Sequence, residues 1–353
     1  MCNIAGYAGE RAAAPILLEM LRAQEGFDAG YYSGIATIHE GKIYYAKLVG
    51  CVQNLIDNTD AASLPGNVGI IHGRSGPIIG DDCWAHPFIG KNRAVETEIA
   101  YVANGVGGFA NCRRGEYGRL ADSLMAEGYD ISSRQLCEKD VYYKLSDGTT
   151  AHVSDVMCQL ILKYKDSGRD PVNAMSDAFC EMPSEIVGLL LDMSEPDKIF
   201  YSRINRPMVA GFSSHGAYLS TSAIAFPDDA GEPQLLPALS SGYVCADGFY
   251  SSPYKNPPCA VAPIDAVARK EAYDVICNEL CSGGRELWCP IRQDNLEAPL
   301  NKLFGNADCS QATALLYDIL FSLHKEGRLK IEEKVYETEK PGASARRFIL
   351  GLR

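Results

Sequence analysis

Cys2 stands directly after the initiating methionine, a position from which one residue can supply both halves of a catalytic pair. Once Met1 is trimmed, as aminopeptidases trim Met ahead of a small residue, the thiol is joined by an α-amine whose ordinary pKa of about 8 suits a base at neutral pH. A free thiol is only roughly a few per cent thiolate there, so an adjacent proton acceptor decides whether it attacks a carbonyl. The plain alternative is an ordinary buried cysteine in a first strand. With 13 cysteines in 353 residues, the neighbours must decide.

Three further stretches carry residue types that an acyl transfer needs: His72-Gly73-Arg74-Ser75-Gly76, Ala85-His86-Pro87-Phe88 and Ala103-Asn104-Gly105. The Asn104 side-chain NH₂ and the Gly105 backbone N–H suit an oxyanion, for which one such donor is worth about 3 kcal/mol. Read alone, Asn-Gly is more simply a turn. Arg74 follows an apolar run and offers a planar fork of donors to a carboxylate, where a lone Arg would otherwise read as a surface ion pair. His86 reads as a supporting hydrogen-bonding residue or as a structural histidine. Cys277, Cys281 and Cys289 lack a fourth ligand, so no metal is expected. Gly105-Val106-Gly107-Gly108 lacks the Lys-Ser/Thr of a phosphate loop, and no cofactor is expected.

Hydrophobic periodicity indicates how these residues are held. Cys2–Ala8, Val68–His72 and Ile99–Ala103 read as short strands, and Ile35–His39 with Lys42–Leu48 as a hairpin about Glu40-Gly41. Ala14–Ala23, Glu116–Met125, Val156–Tyr164 and Val172–Phe179 read as helices, and Ile186–Asp192, Lys198–Arg203, Met208–Ser213 and Ala217–Ser222 as successive strands. Helices between two groups of antiparallel strands point to two sheets with helices outside, an α+β layered fold. Ser132–Thr150 lacks steady periodicity and reads as an insertion. Three units are expected: 1–250, a Pro-rich linker 251–263, and a small C-terminal α/β domain 264–353. In the last, helices Ala266–Leu280 and Gln311–His324 precede Arg328–Tyr336 and Arg346–Leu352, which pair across Pro341-Gly342 in a manner that resembles a winged helix. Leu287–Ile291 reads as a further strand and Asn295–Phe304 as a short helix.

Taken together, the motifs resemble the glutaminase domain of class II glutamine amidotransferases, the N-terminal-nucleophile hydrolases, and most closely that of glutamine–fructose-6-phosphate amidotransferase. Met1-Cys2-Asn3-Ile4-Ala5-Gly6-Tyr7 is similar to the family start Met-Cys-Gly-Ile-x-Gly-Tyr, and Gly50-Cys51-Val52-Gln53-Asn54-Leu55 to Gly-Lys-Val-x-x-Leu. The likeness spans roughly residues 1–248. It implies a four-layer αββα sandwich in which Cys2 attacks the glutamine side-chain amide, Asn104 and Gly105 hold the oxyanion, Arg74 binds the substrate carboxylate and His86 supports the site. Departures are substantial. Ser75 and Pro77 stand where the family carries Trp and Thr, Ala29 replaces a supporting Arg, and Val153 falls on the Asp that binds the substrate amine, leaving Asp155 as the nearest carboxylate. Two alternatives therefore stay open: an amidohydrolase for another amide, and a degenerate, non-catalytic binding or regulatory subunit.

A net charge of −12 argues against a nucleic-acid partner. The odd cysteine count without any Cys-x-x-Cys suits reduced thiols in the cytoplasm. Pro15 and Glu19 break the only early apolar run, so neither a signal peptide nor a membrane span is expected. The expected partners are glutamine or a related amide and a protein that carries the ammonia acceptor, and a homo-oligomer is admitted as well.

Overall fold

The computed structural model describes residues 2–76, 81–92, 97–106, 113–136, 144–289, 294–304 and 309–353. Pro77, Gly107, Gly108, 137–143 of the insertion and the end of the expected 287–291 strand lie outside them. Along the chain run β1 (Asn3–Gly9), α1 (Ala13–Arg22), the one-turn α2 (Glu25–Asp28), β2 (Tyr32–His39), β3 (Lys42–Val49), α3 (Val52–Asn58), β4 (Val68–Arg74), β5 (Phe88–Asn92), β6 (Thr97–Val106) and α4 (Arg114–Ala126). There follow α5 (Val153–Asp166), α6 (Pro171–Glu181), β7 (Glu185–Asp192), β8 (Ile199–Arg203), β9 (Val209–Ser213), β10 (Gly216–Ser220), β11 (Gln234–Leu235), β12 (Ser240–Cys245) and β13 (Gly248–Pro253). The C-terminal part comprises α7 (Ala266–Cys281), β14 (Trp288–Cys289), β15 (Asp294–Asn295), α8 (Ala298–Asn301), α9 (Ala312–Lys325), β16 (Leu329–Glu337) and β17 (Ser344–Leu352).

Two sheets form the body, one in the order β11-β9-β10-β1-β4-β2-β3 and one in the order β13-β12-β8-β7-β6-β5. Alternation along each strand assigns every residue a face. Ile4, Ala36 and Ile70 of the first sheet meet Val102, Leu189 and Ile199 of the second in a dry inner layer. Ala5, Ile35 and Ile71 turn outward onto Leu17 and Leu21 of α1 and Leu55 of α3. Tyr101, Leu190 and Phe200 turn outward on the other side onto Met157 and Ile161 of α5 and Phe179 of α6. The result is the αββα sandwich. The hairpin at Glu40-Gly41 uses positive φ at both residues, 48° and 70°, the turn whose twist matches the flanking strands.

Among the elements that the periodicity did not indicate are α3, β5, β12 and β13. β13 is an edge strand whose residues are partly or fully exposed, so it needs no apolar run.

The C-terminal part packs directly on the body. Leu280, Leu315, Leu320 and Phe348 form a core that Phe27 of α2 enters, with the Phe27 ring edge-on to Tyr317 at 5.7 Å and to Phe348 at 5.1 Å. Gly26 is required there, because a Cβ would fall 2.3 Å from the Phe348 ring. The Pro-rich segment is likewise seated: Tyr254 is buried with its hydroxyl 2.6 Å from Ser202 Oγ, and Val261 bridges to Cys309.

Candidate active site

The register of β1 on β4 sets Asn3 opposite Gly73 and Ile4 opposite His72. Continued by one residue, it brings Cys2 opposite Arg74. Since Ile4 faces the inner layer, so do Cys2, His72 and Arg74, while Asn3 and Gly73 face out. The second sheet supplies the other wall, with Asn104 and Gly105 of β6 opposite Val187 and Ile186 of β7.

Two hydrogen bonds tie these walls together. The Cys2 nitrogen donates to Asn104 Oδ1 at 3.1 Å, and His72 Nε2 donates to the Ala103 carbonyl at 2.9 Å. Asn104 Nδ2 points to Thr221 Oγ1 at 3.5 Å, and that hydroxyl also accepts the Ile4 N–H at 3.0 Å. Asn104 is fully buried, and Cys2 keeps 8% of its surface exposed. Burial pushes the Cys2 thiol up, but the charge and hydrogen bonding of His72, the amino terminus and the Ser75 N–H outweigh it and bring the thiol down to about 6. Ser75 Oγ lies 3.9 Å from the sulfur.

The Arg74 guanidinium is buried above two aromatic rings, 4.7 Å from Tyr32 and 5.9 Å from Trp84. The motif lacks a Trp after this Arg, yet aromatic walls reach it from β2 and from the turn before β5. His86 is buried and stacks on His72 with ring centroids 3.7 Å apart, edge-on to Phe88 and to His152. Burial first, and then the neighbouring His72, His152, Arg74 and Lys47, hold His86 well below the usual imidazole range.

Asp155 is fully buried in the first turn of α5 and accepts from Ser133 N at 2.7 Å and Ser132 Oγ at 3.1 Å. Its carboxylate is thereby committed to the start of the insertion, and burial raises its pKa. Asp155, the carboxylate left nearest for a substrate amine, is thus already occupied by these two donors. Val153 opens α5 behind His152, whose Nδ1 caps the helix by accepting Ser154 N at 3.1 Å.

The motifs also gave no sign of what the C-terminal part adds. Beside Ala29, Arg347 of β17 donates to Asp28 at 3.2 Å and lies 5.2 Å from the Tyr31 ring, and Arg346 donates to Glu25 at 3.1 Å. Tyr31 in turn packs on Gly76, two residues beyond Arg74. On the outer face of β1, Tyr317 of α9 accepts from Asn3 Nδ2 at 3.2 Å. The Arg346-Arg347 pair and the Asn after Cys2 are the only marks of these contacts in the sequence.

Comparison with known proteins finds relatives in sequence and in fold. The chain is 25% identical over 231 residues to glutamine–fructose-6-phosphate aminotransferase (isomerizing) of Pyrococcus horikoshii, an alignment covering 64% of this chain and 33% of that protein. The enzyme of the same name from Bacteroides thetaiotaomicron is 28% identical over 228 residues, covering 63% and 32%. The chain is a relative of the class II glutamine amidotransferases. It spans about a third of the length of the curated relatives it matches. No family model matches it. Among solved structures, glutamine phosphoribosylpyrophosphate amidotransferase from B. subtilis aligns with a TM-score of 0.57 at 16% identity, over 79% of this chain and 58% of that one. A second structure, titled as the allosteric regulatory enzyme of purine biosynthesis, gives 0.58 at 14% over 99% and 71%. At these identities the two solved structures speak for the shared fold.

The ten cysteines whose state is described are free thiols, and among the described residues no group of three His, Cys, Asp or Glu is placed to hold a metal ion. No helix among them is long and apolar enough to cross a membrane.

Proposed function

We propose that this chain hydrolyses the side-chain amide of glutamine to glutamate and ammonia through a thioester on Cys2. The observation that carries the reading is the contact of the Cys2 nitrogen with Asn104 Oδ1, which sets the nucleophile against a side chain whose amide group can donate to an oxyanion. The thiolate adds to the amide carbon, and Asn104 with the Gly105 N–H steadies the resulting oxyanion. The C–N bond then breaks as the thiol proton, relayed by the Cys2 α-amine, passes to the nitrogen, ammonia leaves, and water hydrolyses the thioester. Arg74 is the group we assign to the substrate α-carboxylate, with Tyr32 and Trp84 keeping its fork in plane. His86 supports the site through His72 rather than acting as the base.

We read 1–250 as the amidotransferase-like unit and 264–353, joined to it by 251–263, as a module that closes the site. The ammonia acceptor is assigned to another domain or chain, and the compartment to the reducing cytoplasm. A non-catalytic subunit is the weaker reading, because it gives no reason for a thiol held near pKa 6 beside a buried Asn. The test is glutamate release from glutamine by the full chain and by its Cys2→Ala variant. Turnover in the first and none in the second is expected. Turnover unchanged by Cys2→Ala, or no turnover of glutamine by either, overturns the reading.

A further inference from the structure

We propose that the cavity between the edge of the first sheet and the C-terminal helices is a binding site for a free α-amino acid with an apolar side chain. The site is separate from the groups assigned to the reaction, and the proposal does not depend on which amide Cys2 attacks.

The cavity has a volume of about 450 Å³, a size that suits a small guest. Val209 of β9 and Leu235 of β11 stand on one side of it, and Ile264 with helices α7 and α9 on the other. On α9 the lining residues Ala314, Tyr317, Asp318 and Phe321 recur at helical spacing, so one stripe of the helix faces the cavity. Thr221 and Tyr317 are the buried part of the lining. Their hydroxyls are already engaged. Thr221 Oγ1 accepts the Ile4 N–H at 3.0 Å and donates to the Ile4 carbonyl at 3.3 Å, and the Tyr317 hydroxyl accepts from Asn3 Nδ2 at 3.2 Å. An apolar group seated against them disturbs no hydrogen bond and leaves water behind.

The charged part of the lining is more exposed. Asp265 at the start of α7, Arg269 one turn further on and Asp318 of α9 are its charged groups among the described residues. Arg269 Nε pairs with Asp318 Oδ2 at 3.1 Å and Nη2 donates to Ser322 Oγ at 3.1 Å, which leaves Nη1 as a donor for a guest. Asp265 Oδ1 accepts the Ala268 N–H at 2.8 Å, and its second oxygen stays open, as does Asp318 Oδ1. Two carboxylates therefore share one guanidinium. In keeping with that shortage of positive charge, burial raises the Asp318 pKa against the pull of Arg269. The complement of this set is a carboxylate for Arg269 and an ammonium for the two Asp side chains. An acid alone sets a third carboxylate beside one guanidinium, and an amine alone leaves the Arg269 donor unused. An α-amino acid carries both groups on one carbon, and its side chain branches from that carbon toward the apolar wall.

The test is calorimetric titration of the full chain with L-phenylalanine and L-leucine, set against glycine, hydrocinnamate and phenethylamine. One-site binding of at least one of the two apolar amino acids is expected. Glycine, which lacks the side chain, and the acid and the amine, which each lack half of the head, should bind at least about tenfold more weakly. Asp318→Asn and Arg269→Gln should each raise the dissociation constant about tenfold. Both side chains are partly exposed, so both variants should fold. Ala314→Trp, which fills the cavity, should abolish binding; if that variant does not fold, the two charge variants decide. No binding of either amino acid overturns the proposal, as does equal affinity for glycine, the acid or the amine. Binding left unchanged by Asp318→Asn or by Arg269→Gln, or retained in a folded Ala314→Trp, also overturns it, because the guest then sits elsewhere.

Discussion

The two sides of Cys2 are built differently. On the oxyanion side, Cys2, His72, Ala103, Asn104 and Thr221 lie inside the sandwich on β1, β4 and β6 and just past β10, and the hydrogen bonds among them run between neighbouring strands or across the two sheets. On the side assigned to the carboxylate, Arg74 is framed by Tyr32 and Trp84, and Glu25 and Asp28 of α2 are held by Arg346 and Arg347 from β17, 321 and 319 residues away along the chain. The first side follows from strand register, which one inner face enforces. The second combines aromatic walls from β2 and the turn before β5 with a brace that the C-terminal ribbon supplies. Under the proposed function, the contrast separates the groups assigned to attack, which strand register fixes, from those assigned to recognition, which are grouped around Arg74.

Four substitutions break or sharpen this contrast. Asn104→Ala removes the side chain proposed to donate to the oxyanion, and kcat for glutamate release should fall about 10²–10³-fold with KM little changed. An effect confined to KM would move Asn104 to the recognition side.

Glu25 tests the docking of the ribbon. Burial raises its pKa from 4.5 to about 7, against the lowering by Val52 N–H and Arg346. Its folded-state pKa lies above the unfolded value, so its stabilising contribution is complete below pH 4.5 and is lost as pH rises through about 7. The loss amounts to about 3 kcal/mol. Urea unfolding on either side of that window should show it in wild type and not in Glu25→Gln, which keeps an acceptor for Val52.

Arg74→Lys keeps the charge and loses the fork. A rise in the glutamine KM of about tenfold, about 1.4 kcal/mol, is expected with kcat nearly unchanged. An equal loss in kcat would join Arg74 to the attack machinery. The smallest effect belongs to Tyr317→Phe, which removes the acceptor for Asn3 Nδ2 and should lower unfolding stability by about 1 kcal/mol. Because Asn3 faces away from Cys2, kcat should hold; a tenfold fall would mean that α9 tunes the nucleophile through β1.

The sequence by itself indicated the layered fold and singled out Cys2, Arg74, His86 and Asn104-Gly105 as the candidate site. Period-two apolar runs in the sequence specify the two faces of each strand. It also showed what had been lost, at Ala29, Ser75 and Val153. Only the tertiary structure decided what stands in those places. Trp84 and Tyr32 wall Arg74, Arg347 braces the turn beside Ala29, Asp155 is spent on Ser132 and Ser133, and Tyr317 holds Asn3. The physical reason is range. Strand pairing and side-chain alternation are local rules carried by each segment, whereas a buried Arg or Tyr brought in from a distant ribbon or helix leaves no periodic trace, because its partner is chosen by packing between elements.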